Sequence, residues 1–355
     1  MSKKVIAILF GGQSSEHEIS KISVSTIIQN INQDKYTIIP IYITKEGHWL
    51  LYDGPLENMT NGNWEKFAST AVLSPDTKQK GLLRIVGDKV KHMPVDVVFP
   101  VLHGANGEDG TIQGLLELAK MPYVGCGVLS SAMSMNKAYT KIVVESLGIE
   151  QAKHTVVQKY ELEASVDTCI KKIEEACKYP VFIKPACAGS SLGITKASNQ
   201  TELVEGLWIA AKEHKTIVIE QGIDAIEVEC AVIGNKEVRA SVTGQAVAAS
   251  DFYDFDAKYN NAESKTIIPA PIAPELSKEI QEKSIQIFKA LDCMGLSRVD
   301  FFIEKGSNKV IFNEINTLPG FTSISMYTML FNESGVTTED LIEELIELGL
   351  SRYED

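Results

Sequence analysis

Short apolar runs that stop at glycine, each followed by a mixed polar segment, set the rhythm of the first 125 residues. Residues 5–10 are continuously apolar and end at Gly11 and Gly12, and an amphipathic, serine-rich stretch runs over 18–31. Strands buried on both faces are continuous rather than alternating in hydrophobicity, so this order predicts the strand, glycine turn and helix that open a parallel α/β domain. TIIPIYIT (37–44) and VDVVFPVL (95–102) are the next predicted buried strands. The intervening 53–92 is polar and irregular, with Asn and Gly at 61–63, and predicts edge strands and connections. A helix is expected over 111–120, and MPYVG (121–125) as a short strand closing this first unit.

Residues 136–147 predict a helix stopped by Gly148, since a left-handed residue after a helix end favours glycine. A further helix is expected over 161–177, then strands over 179–185, stopped by Pro185, and 216–223. From 224 onward the strands lengthen, over 227–234, 237–244 and 265–272. A helix over 275–291 and strands over 296–303 and 309–315 follow. Neither an internal repeat nor a low-complexity tract is apparent. The changes of pattern near 127 and 223 divide the chain into three α/β units, 1–127, 128–222 and 223–355.

Composition narrows the class. With 355 residues, 44% of them hydrophobic, the chain can build more than one core. Lys and Arg number 34 against 47 Asp and Glu, a net charge of −13. A polyanionic surface repels nucleic acid and anionic membrane, and the sequence holds no basic patch that would offset it, so neither is expected as a partner. Six cysteines (126, 169, 177, 187, 230 and 293) lack a CxxC spacing and are expected as reduced, mostly buried small hydrophobes. The basic N-terminus is followed by an apolar run too short for a signal segment, and no window approaches the roughly 18 apolar residues of a membrane span. A soluble cytoplasmic protein is expected.

Three segments carry candidate chemistry. In AGSSLGIT (188–195), Gly189 and Gly193 bracket two serines, Ser190 and Ser191. Glycine lets backbone approach a polyanion while hydroxyls and amides donate to it, although such a loop is as often only a loop. In VIFNEIN (310–316), strand periodicity puts Glu314 and Asn316 on one face and Ile311 and Ile315 on the other. A turn near 305–308 would bring Asp300 of LSRVD alongside, giving an oxygen set suited to magnesium; a surface acidic cluster is the alternative. HGANGEDGTIQG (103–114) joins a strand to a helix at the carboxyl edge where α/β proteins place ligands. His103 there either orients a carboxylate or is a core histidine, and Asp109 or Thr111 could simply cap the helix. Lys184, between VFI and Pro185, is either a ligand contact or a lysine that snorkels; Lys137, near a helix start, is a weaker candidate. Glu16 and His17 lie just past the first strand, where a carboxylate could receive an ammonium group. No Ser-His-Asp spacing or nucleophile elbow is present.

Taken together, GGQSSEHEIS (11–20), HGANGEDGTIQG (103–114), KPACAGSSLGIT (184–195), FYDFDAKY (252–259), LSRVDFF (296–302) and NEINTLPGFTS (313–323) resemble the D-alanine:D-alanine ligase family of ATP-grasp enzymes, in family order and over nearly the whole chain. The resemblance implies a three-domain ATP-grasp fold, an N-terminal parallel α/β substrate domain followed by two α+β ATP-grasp domains. It implies ATP-dependent ligation of two D-alanines through a D-alanyl phosphate, for peptidoglycan synthesis. D-alanine:D-serine ligation is the alternative, because FYDFDAKY argues only against the D-lactate branch.

By residue match, Asp300, Glu314 and Asn316 would hold two magnesium ions, with manganese as a substitute. Lys137 and Lys184 would contact ATP phosphates under the 186–195 loop, and Glu220 and Glu227 would lie around adenine and ribose. Glu16 matches the residue for the first substrate's ammonium, and His103 one near its carboxylate. Arg298 matches the cation beside the acylphosphate, and Ser325 with Gly320 the site for the second carboxylate. Glu16, Ser190 and Tyr259 match a hydrogen-bonded trio that closes the site, with Lys258 nearby on the 251–264 loop. A homodimer and potassium activation are also implied, neither one localised. Cys187, Gln221 and Ile324 depart from the arginine, lysine and histidine the family often has at these positions.

Overall fold

The computed structural model describes residues 3–54, 68–189, 192–247, 265–322 and 324–354. β1 (Lys4–Gly11) is an apolar run buried from Ile6 onward. Gly11 and Gly12 then take positive φ, 89° and 94°, which an L side chain rarely adopts, and turn the chain into α1 (His17–Asn30). β2 (Tyr36–Ile43), β3 (Trp49–Tyr52), β4 (Ala68–Leu73), β5 (Gly81–Val86), β6 (Lys89–Pro94) and β7 (Val97–Val101) complete a seven-stranded sheet of order β6-β5-β4-β3-β2-β1-β7. Only β2, β1 and β7 pair in parallel; β3 to β6 extend the edge as an antiparallel meander. α2 (Thr111–Leu118) follows β7. The strand expected over 121–125 is reduced to one parallel bridge, Val98 to Tyr123. Pro122 has no N–H to give a ladder, and only its carbonyl and the Val124 N–H are bonded to Val98.

α3 (Val128–Met135) and α4 (Lys137–Ser146) meet at Asn136, whose side chain accepts the Ala138 and Tyr139 N–H groups. Gly148, at φ 69°, follows the end of α4 as its pattern predicts. β8 (His154–Gln158) comes next. The single helix expected over 161–177 is two, α5 (Lys159–Ala164) and α6 (Val166–Ala176). Ser165 divides them, because its extended backbone lets its hydroxyl cap α6 by accepting Thr168 N–H at 3.2 Å. β9 (Val181–Pro185), β10 (Thr195–Ala197), α7 (Gln200–Glu213) and β11 (Thr216–Gln221) finish a four-stranded antiparallel sheet, β10-β9-β11-β8, with a core of its own around Val157, Ile173, Ile183 and Leu207.

β12 (Ala225–Gly234), β13 (Val238–Val247), β14 (Lys265–Ile267), α8 (Pro274–Ala290), β15 (Gly295–Glu304) and β16 (Val310–Asn316) build a five-stranded antiparallel sheet, β14-β13-β12-β15-β16. β14 is shorter than the strand expected over 265–272, since Pro269 and Pro271 cannot donate to a ladder. One face of this sheet packs on α8 through Val228, Cys230, Val299, Phe301, Phe288 and their neighbours. α9 (Met326–Glu333) and α10 (Thr338–Leu350) pack back against the first sheet, so Ile8, Phe99, Phe321, Tyr327 and Leu341 share one core. The far end of the chain thereby fixes the first sheet beside the third. No helix among the described residues is long and apolar enough to cross a membrane.

Candidate active site

The antiparallel register of β12, β15 and β16 places six polar side chains on the face opposite α8. Arg298 pairs with Asn316 and with Ala231, Asp300 with Glu314 and with Glu229, and Phe302 with Glu227. Between the Asp300 and Phe301 positions β16 carries an extra residue, Asn313. This bulge shifts the alternation, so that Val310, Phe312 and Ile315 share the α8 core whereas Ile311 does not. The expectation that Ile311 and Ile315 share a face therefore fails. The Glu314 and Asn316 pairing on the opposite face stands, because both lie beyond the bulge.

Arg298 is the centre of this face. Its Nε and Nη2 donate to the two Asp300 oxygens at 2.8 and 2.7 Å, and its Nε lies 2.7 Å from Glu229 Oε2. Asp300 and Glu229 are 1% and 5% exposed. Burial alone would make the guanidinium easier to deprotonate, but the charges of Asp300 and Glu229 outweigh it and hold the group well above its ordinary range. Lys137 donates to Glu314 at 3.0 Å from the start of α4, where its own N–H is fixed by Ala186 O at 2.8 Å. Asn316 Oδ1 accepts Leu318 N–H at 3.0 Å.

Across the cleft, Glu16 precedes α1 and is 9% exposed. A Cβ built on Gly104 would lie 2.6 Å from Glu16 Oε2, and one on Gly189 2.5 Å, so the backbone at both glycines closes on this carboxylate. His103 is buried, with Nδ1 2.9 Å from Leu318 O and Nε2 3.1 Å from Ser23 Oγ. A carbonyl only accepts, so Nδ1 carries the proton and Nε2 accepts from the serine. Burial lowers the imidazole pKa against the opposing charge of Glu16. Glu108, 3.9 Å from His103 Nδ1, is pushed well above the carboxylate range by burial and by Glu16, with the Gly104 N–H opposing. Gly320 and Ser325 also line this cleft; a Cβ on Gly320 would meet Ser325 Oγ at 2.9 Å, and that oxygen accepts Thr322 N–H at 2.9 Å.

Lys184 is largely buried and faces a carboxylate. It donates to Glu220 Oε2 at 2.7 Å, while Lys141 lies 3.0 Å from Oε1. Burial would raise the Glu220 pKa, yet the two lysines bring it to about 2. Glu220 therefore holds lysines in this structure, and Glu227 accepts from Asn313 Nδ2 at 3.3 Å. Gln221 caps the Lys178 N–H at 3.1 Å, Cys187 is half-buried and Ile324 is 62% exposed in the cleft.

Ser190, Ser191, Lys258 and Tyr259 fall outside the described residues. The structure brings Glu16, His103, Lys137, Arg298, Glu314, Asn316, Gly320 and Ser325 to one cleft, and adds two carboxylates that sequence reasoning passed over, Glu108 and Glu229. Glu229 could have been found: with Glu227 it alternates through an otherwise apolar strand. Lys141 was legible too, one helical turn after Lys137.

The donor set fits hard cations. Asp300 and Glu314 face each other in register, with Asn316 next, and each carboxylate already binds a cationic side chain. Among the described residues no three of His, Cys, Asp and Glu converge on one point, so a metal here would need Asn316 and non-protein oxygens, as suits magnesium with phosphate.

Two family models match the chain: D-ala D-ala ligase N-terminus over residues 5–126, and D-ala D-ala ligase C-terminus over 143–347. The chain belongs to the D-ala D-ala ligase family. Its relatives in this family include D-alanine–D-alanine ligases of Ruminiclostridium cellulolyticum, 50% identical over 100% of this chain and 97% of the relative, and of Acetivibrio thermocellus, 49% identical over 99% and 97%. Among solved structures, the VanG D-Ala:D-Ser ligase of Enterococcus faecalis aligns with a TM-score of 0.89 at 41% identity, covering 98% of this chain and all of that one. The D-alanine-D-alanine ligase of Coxiella burnetii aligns at 0.84 and 32% identity, covering 99% and 95%. Membership of the D-ala D-ala ligase family makes the protein an ATP-dependent ligase with the three-domain ATP-grasp fold.

Proposed function

We propose that this protein joins two D-alanine molecules at the expense of ATP, giving D-alanyl-D-alanine, ADP and phosphate for peptidoglycan synthesis. The observation that carries the reading is the convergence on one cleft of Glu16 from the first sheet, Lys137 from α4, and Arg298, Glu314 and Asn316 from the third sheet. Its domains follow the three sheets, 1–127 for substrate binding, 128–222 as the central ATP-grasp domain and 223–355 for catalysis and metal binding, and the enzyme works as a cytoplasmic homodimer.

Glu16 takes the ammonium group of the first D-alanine, and its buried position strengthens that pairing. The carboxylate of this D-alanine attacks the γ-phosphorus and ADP departs with the cleaved bond's electrons. Lys137 and Lys184 neutralise phosphate oxygens, Glu220 and Glu227 border the nucleoside, and Ser190, Ser191 and Lys258 contribute from the loops. Asp300, Glu314 and Asn316 hold magnesium, or manganese in its place, which neutralises charge on the transferring phosphoryl group. Ser325 and Gly320 receive the second carboxylate. The second amine, having lost a proton, attacks the acyl carbon, and phosphate leaves with the former carboxylate oxygen. Arg298, held by Asp300 and Glu229, faces the oxyanion of that step without having to reorganise. His103, with both nitrogens engaged, shapes the wall beside the first carboxylate. Glu16, Ser190 and Tyr259 close the site against water.

Phosphate release that requires ATP, magnesium and D-alanine together, with the dipeptide identified by mass, tests this reading; turnover without D-alanine would contradict it. The likeness to a D-Ala:D-Ser ligase favours D-alanyl-D-serine as a second reading. A site that takes a methyl group admits an added hydroxyl unless a polar partner decides between them, so equal D-alanine and D-serine should be offered and both products weighed. Potassium is tested by replacing it with sodium in the same assay.

A further inference from the structure

Lys141 is a buried cation that the ligation scheme leaves without a task. It is 2% exposed, projects from α4 one turn beyond Lys137, and lies 3.0 Å from Glu220 Oε1 without a linear hydrogen bond. Lys184 holds the other oxygen, Oε2, at 2.7 Å from the neighbouring strand β9. One buried carboxylate, 4% exposed, thus serves two ammonium groups; the group of three carries one surplus positive charge, which the charges of Glu314 and Glu227 offset through space at Lys184. A surplus buried charge is costly unless an anion completes it. If Glu220 had Lys184 as its sole partner, the pair would be neutral, and moving Lys184 toward a phosphate would strand the carboxylate.

We propose that Lys141 is a positioning residue for the nucleotide: by compensating Glu220 it frees the charge of Lys184 for a phosphate group. α4 then contributes twice, through Lys137 toward the third sheet and through Lys141 toward the central sheet. The inference rests on the reading of Lys184 as a phosphate contact, and it predicts a penalty that grows with the charge of the ligand.

The test is equilibrium binding of ADP and of adenosine to the full chain, with magnesium present throughout. Lys141→Met should weaken ADP by about tenfold or more and leave adenosine within about twofold. Lys141→Arg should bind ADP close to wild type. In a Glu220→Gln background, which has no carboxylate to capture Lys184, the further change Lys141→Met should weaken ADP by less than about threefold. Unchanged ADP affinity in Lys141→Met, equal weakening of ADP and adenosine, or a Lys141→Met penalty as large in the Glu220→Gln background as in wild type would overturn the proposal. Lys184→Met is the control: normal ADP affinity there would refute the phosphate reading of Lys184 itself, independently of Lys141.

Discussion

Gly189 passes so close to Glu16 that an added Cβ would stand 2.5 Å from Oε2. The residue before Ser190 thus touches the carboxylate assigned to the first substrate's ammonium, and a loop of the central sheet reports directly on a residue of the first. Gly189→Ala must push the loop or the carboxylate aside. Ligation should fall by about tenfold or more, chiefly through KM for the first D-alanine, while Tm shifts by only about 1–2 °C because the loop bears little of the core. Steady-state kinetics and a melting curve check both halves.

Arg298 is bound to two nearly buried carboxylates, so its removal has a structural cost as well as a catalytic one. Arg298→Lys keeps a charge but loses the fork that holds both Asp300 oxygens, and kcat should drop by about 10²- to 10³-fold in a folded enzyme. Arg298→Ala should in addition lose about 3–5 kcal/mol of stability, since Asp300 and Glu229 are left facing each other without a counter-ion. Urea unfolding alongside turnover separates the two effects.

Glu220 predicts a specific acid limb of the stability profile. Its folded pKa, about 2, lies below the ordinary 4.5, so the stabilisation is complete above pH 4.5 and is lost as the pH falls toward 2. A gap of that size corresponds to ~3 kcal/mol. Glu220→Gln should flatten this part of the profile, and at neutral pH it should be destabilised by about 3–5 kcal/mol because Lys141 and Lys184 lose their shared partner. Unfolding free energies between pH 3 and 7 for both proteins measure it.

Glu314 pairs with Lys137 on the same face as Asn316 and Asp300. If these oxygens hold the metal, Glu314→Gln and Asn316→Ala should weaken manganese binding by about 10- to 100-fold in the presence of ADP. Electron paramagnetic resonance of free manganese reads this without turnover. Chelation by EDTA should abolish phosphate release, and added magnesium should restore it.

The parallel start of the first sheet was legible at 5–10, 37–44 and 95–102 because strands buried on both faces are uniformly apolar. The pairing of Asp300 with Glu314 was legible because strand period and a short hairpin fix register locally. Asn313 was not, since nothing in NEIN marks which residue leaves the ladder, and the bulge consequently moved Ile311 off the face assigned to it. The break at Ser165 was hidden because serine is tolerated within a helix and becomes a cap only when the chain turns there. The two-lysine grip on Glu220 joins residues 36 and 79 positions away in the chain to one strand, and periodicity carries no such long-range information. The helices at Met326–Glu333 and Thr338–Leu350 were also missed, although their apolar faces are what tie the first sheet to the third.

The central claim is that a D-alanine carboxylate attacks ATP and is consumed as an acylphosphate. D-alanine labelled with oxygen-18 in its carboxylate, turned over with ATP and magnesium, tests it most directly. The scheme predicts one labelled oxygen in each phosphate released and one lost from each dipeptide formed. Phosphate free of label, with dipeptide accumulating, would contradict it.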